Sequence, residues 1–83
     1  MMNKSIITRD DILETVGIKD VSEKQHRINE IVIAFANNAV RFESSDSWSE
    51  YYELIHTKTN LSHELKKKAF FNAYDSQMHF NGR

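Results

Sequence analysis

The sequence predicts an all-α fold: a small bundle of three to four helices around a long central helix at about 22–43. Three observations carry this. Helix-start signals recur at Thr8, Ser22 and Ser47. Apolar residues after each signal fall at helical spacing. Proline is absent and glycine stands only at 17 and 82, so few residues break a helix.

The first helix is expected at about 9–16. Thr8 is its N-cap, and Asp11 at the third helical position is a relative of the capping box. Asp10, Asp11 and Glu14 lie near its start, where the helix dipole favours anions. Ile12, Leu13 and Val16 form its apolar side. Gly17 suits a left-handed residue closing the helix.

The central helix begins with Ser22 as cap and Gln25 reaching back to it. Ile28, Ile31, Val32, Phe35, Ala39 and Phe42 then form one stripe. A hairpin pairing 31–36 with 39–44 around Asn37-Asn38 competes, because Asn tolerates positive φ and Val40 to Glu43 alternate. Ala34, Ala36 and Ala39 are poor strand residues, and the stripe covers more of the chain. Helix is therefore the reading, with Asn37 and Asn38 on its polar side beside Glu30 and Arg41.

For the third helix, Ser47 and Glu50 form a capping box, with Ser45 and Asp46 as alternative caps. Trp48, Tyr51, Tyr52 and Ile55 make its apolar face. Asn60 or Ser62 caps the fourth. Leu61, Leu65, Ala69 and Ala73 form one side of it, widened by Phe70, Phe71, Tyr74 and Met78.

The chain has 83 residues, enough for one domain spanning 1–83. With no cysteine it has neither disulfides nor thiolate metal sites, which fits a cytoplasmic protein. The start MMNKSII lacks the apolar run of a signal peptide. The longest apolar run, Ile31 to Ala36, is too short to span a membrane.

Signals for chemistry are sparse. No two of His26, His56, His63 and His79 are spaced as helical metal ligands. There is no glycine-rich phosphate loop and no nucleophile elbow. The expectation is a non-enzyme without cofactor or metal. A helix-turn-helix reading of residues 9–32 fails on Glu23 and His26, which occupy places where the second helix needs apolar residues.

Charge is uneven. Residues 1–55 hold six basic and ten acidic residues, and residues 56–83 hold five and two. Attraction between the halves is the simplest account. A basic face for nucleic acid is the sharper one, with Lys66, Lys67 and Lys68 beside Phe70, Phe71 and Tyr74. Three consecutive lysines span most of a turn, however, and point in different directions.

Apolar residues off the main stripes, Ile33, Val40, Leu54 and Phe71, exceed what one small bundle covers. The leading expectation is thus a protein–protein interaction module. It would be a small regulator or inhibitor, of the kind phages and mobile elements encode, docking on a partner protein or on itself as a homodimer. Trp48, Tyr51 and Tyr52 are the candidate contacts, rimmed by Asp46, Glu50 and Glu53. The alternative is a nucleic-acid-binding accessory protein using Lys66, Lys67 and Lys68.

Overall fold

A computed structural model describes residues 5–43, 48–57 and 59–81, and within them all side chains except those of 49, 54–57 and 79–81. The order is β1 (Ser5–Ile7), α1 (Arg9–Val16), α2 (Val21–Ala36), β2 (Val40–Phe42), α3 (Trp48–Thr57) and α4 (His63–Asn81). The described part is mostly helical. α2 packs mainly on α4, while α1 and α3 pack against each other and on α2 and α4 respectively.

Local signals set α1. The Thr8 hydroxyl accepts from the Asp11 amide at 3.1 Å, and Asp11 Oδ2 accepts from the Thr8 amide at 2.9 Å. Both halves of a capping box are present. Gly17 closes the helix differently from expectation. Its φ is −80°, and its amide donates to the Leu13 and Glu14 carbonyls within a right-handed turn. α2 also starts on another cap: Asp20 Oδ1, two residues before Ser22, accepts from the Glu23 amide at 3.2 Å.

The expected central helix at 22–43 is corrected to Val21–Ala36. Asn38 takes φ 58°, the left-handed region that Asn tolerates better than most residues. Its amide reaches Phe35 O and the Ala39 amide reaches Ala34 O, both at 2.9 Å. These two bonds form a Schellman motif with Asn in the place usually taken by Gly. A distant residue contributes too: Asn72 Nδ2 on α4 donates to Phe35 O at 2.7 Å and to Ala36 O at 3.3 Å.

The chain then extends. Val40 and Phe42 are buried and Arg41 is exposed, the alternation of a half-buried strand. β2 pairs in parallel with β1, Ser5 opposite Val40 and Ile7 opposite Phe42. This two-stranded sheet adds a β element to the expected all-α fold. The hairpin alternative fails as well, because residues 31–36 are helical and the strand partner lies 35 positions upstream of Val40. The Phe42 amide donates to the buried Ser76 hydroxyl on α4 at 3.0 Å.

One core results. Ile12, Ile28, Val32, Phe35, Phe42 and Tyr51 are fully or almost fully buried, and Ala69 and Ala73 bring α4 close against them. Phe35, Phe42 and Tyr51 form a mutual cluster with ring centroids 4.6 to 5.4 Å apart. Ser62 caps α4 through the Leu65 amide at 3.3 Å. Asn60 instead accepts from Asn29, tying the α3–α4 connection to α2.

Candidate interaction surface

α4 decides what the surface looks like. Going round a helix, Leu65, Ala69, Ala73 and Ser76 share one face, and Lys67, Phe71, Tyr74 and Met78 share the opposite face. The first set is inward, with Ala69 and Ala73 at 0% exposure. The second set is outward, with Phe71 57%, Tyr74 46% and Met78 45% exposed. A helix of a small domain ordinarily shows one apolar stripe and a polar back. α4 has an apolar stripe on each side.

The outer stripe continues onto α3. Tyr52 is 44% exposed and its ring lies 6.2 Å from Phe70. Phe70 stacks on Tyr74 at 6.2 Å with only 14° between the planes, and meets Phe71 edge-on at 5.9 Å. Trp48 lies beneath, half-buried, with Tyr52, Phe70 and Tyr74 each about 6 Å away. The strip is therefore contiguous and held in place by ring contacts.

The expected contact residues separate. Tyr52 lies in the exposed strip and Trp48 supports it from below. Tyr51 faces the other way, fully buried, with its hydroxyl 3.5 Å from Ala69 O. Burial pushes its phenol well above the usual tyrosine range, since the charged form would be stranded without solvent. Glu50 is half-buried and pairs through both carboxylate oxygens with Arg9 of α1 at 3.4 Å. Glu53 is exposed. Asp46, the Ser47 cap and the side chains of Leu54, Ile55, His56 and His79 lie outside the described residues. Val40, expected as leftover surface, is buried by β2.

The three lysines diverge around α4. Lys66 is half-buried, whereas Lys67 and Lys68 are exposed and point along different sides of the helix. An open groove of about 480 Å³ runs beside them, lined by Ser62, Glu64, Leu65, Lys67, Lys68 and Phe71. His26 and His63 are exposed on separate helices, and His26 meets Glu30 at 3.3 Å. Among the described residues no helix is long and apolar enough to cross a membrane.

What reasoning from sequence missed is the direction of Phe71, Tyr74 and Met78. Read as a widening of the buried side, they in fact form a second side. The i, i+4, i+7, i+11 spacing of 67, 71, 74 and 78 was the signal available.

The chain matches no protein-family model, and no curated protein or solved structure is significantly similar to it.

Proposed function

We propose that this protein is a non-catalytic interaction module, a small helical bundle that presents the outer face of α4 and the adjoining Tyr52 to another protein chain. One observation carries the reading: α4 is apolar on two opposed faces, and the fold uses only one. Aromatic side chains dominate the energy of protein interfaces because they bury large areas with little loss of conformational freedom. Phe71, Tyr74 and Tyr52 are of that kind, and ring contacts to Phe70, with Trp48 beneath Tyr52 and Tyr74, pre-order them. Trp48 acts as support, Glu53 as rim, and Tyr51 belongs to the core. A regulatory or inhibitory role is the simplest use of a small domain with such a docking face.

Nucleic-acid binding through Lys66, Lys67 and Lys68 is the weaker reading, because the three ammonium groups do not share a face. The test is capture of partners from host lysate by the tagged chain and by its Phe71→Glu variant, each with and without nuclease. A defined protein, retained after nuclease and lost with Phe71→Glu, is the expected result. Retained material that vanishes on nuclease treatment, and is unaffected by Phe71→Glu, overturns it in favour of nucleic acid.

A further inference from the structure

We propose that the outer face of α4 is covered by a second copy of this chain, packed antiparallel, helix on helix, with the two-fold axis at the level of Asn72. The inference rests on the interaction reading above and names the partner.

Three features point to a copy. First, 67, 71, 74 and 78 follow the 4-3-4 spacing by which two helices interlock along a seam. An isologous pair needs a patch complementary to itself. About a two-fold axis at residue 72, Phe71 of one copy meets the Phe71 and Tyr74 region of the other.

Second, the groove supplies a hole for the knob. Glu64, Lys67, Lys68 and Phe71 form the diamond of four residues into which a facing side chain inserts, and the groove opens there. The antiparallel arrangement brings Met78 of the second copy to that level. Methionine is flexible enough to fill an irregular hole.

Third, the charges select the direction. Lys68 and Asp75 stand two turns apart on the same flank of α4, both exposed. Antiparallel pairing sets Lys68 of each copy opposite Asp75 of the other, twice by symmetry. Parallel pairing sets this flank against the opposite one, which carries Phe70 and Gln77, and so forfeits both charge pairs. Size is compatible as well. From their exposures, the three aromatics alone bring roughly 300 Å² of each copy to the seam, against about 800 Å² per partner in a standard interface. The helix flanks supply further area.

The experiment is sedimentation of the full chain over a concentration series, with helicity monitored by circular dichroism. The wild type sediments as a dimer at micromolar concentration. Phe71→Glu, on an exposed position, keeps its helicity and weakens dimerisation by roughly tenfold or more. Lys68→Glu and Asp75→Lys each weaken it by about threefold to tenfold, and the double swap restores it. A monomer throughout the series overturns the proposal, and so does a dimer insensitive to Phe71→Glu. A dimer whose single charge reversals are not rescued by the double swap overturns the antiparallel arrangement. A monomer that still captures a protein through Phe71 sinks this inference alone. A monomer that captures nothing sinks the interaction reading too.

Discussion

α2 and α4 are the two longest described helices and pack against each other, yet they meet solvent differently. α2 buries Ile28, Ile31, Val32 and Phe35 and turns Glu23, Arg27 and Glu30 outward. Its exposed side is laced by its own charges, with Glu30 3.3 Å from His26 and 3.4 Å from Arg27. α4 buries alanines and a serine inward and turns Phe71, Tyr74 and Met78 outward. Beside Leu65, Phe70 and Gln77, small residues line its approach to the core, while three large ones face water. The contrast separates two demands on one chain. α2 faces water mainly with charged residues, Val21 and Ile33 apart, while α4 approaches α2 closely and faces water with large apolar ones.

The sharpest way to break the comparison is to truncate one phenylalanine on each helix. Phe35→Ala empties the centre of the core and is expected to cost about 3–5 kcal/mol of stability, enough to unfold a domain this small. Phe71→Ala is expected to change monomer stability by no more than about 0.5 kcal/mol, because the side chain is mostly in solvent. Urea denaturation of both variants checks the pair. Equal losses would mean that the outer face is part of the core.

A smaller effect probes the inner side of α4, where Tyr51 lies under Ala69. Its proton is held more tightly in the folded than in the unfolded chain. The unfolded state therefore loses this proton first as pH rises. The contribution is fully present below about pH 10 and is lost above it, at up to about 1.4 kcal/mol per pH unit. Denaturation midpoints from pH 8 to 12 should fall less steeply for Tyr51→Phe than for wild type. Smaller again on this inner side is the loss from Asn72→Ala, which removes the side-chain bonds that join α4 to the end of α2. It should cost about 1 kcal/mol, seen in urea midpoints, and should speed hydrogen exchange at the last turn of α2.

How far the sequence was legible follows the range of the signals. Thr8 and Asp11 lie three residues apart, so the start of α1 could be read directly. Phe42 follows Phe35 by seven residues, which fits two helical turns, so a strand residue passed for part of the helical stripe. The end of α2 is braced by Asn72, 36 positions beyond Ala36, and β2 depends on Ser5–Ile7 far upstream. No local window contains those partners. The alternation from Val40 to Glu43 was the visible trace of the strand. At the candidate surface, Tyr52 and the aromatic character of α3 could be read. Which of Tyr51 and Tyr52 faced inward could not, because adjacent positions on one apolar arc differ only in what packs against them. The double-sided pattern of α4 was present in its spacing, but a helix with two apolar stripes gives no sign of which one meets the core.

Asn72 gives the fold an order in time. The carbonyls of Phe35 and Ala36 receive its amide only when α4 is in place. During synthesis the ribosome releases α2 well before this residue, so the last turn of the helix emerges without that clasp. The Schellman turn at Asn38 ends the helix locally, and the far end of the chain braces it. A nascent fragment stopping at the α3–α4 connection should therefore fray at Ala36 and leave β2 without the Ser76 bond that fixes it. The protein clasps the end of its second helix only when its fourth has been made.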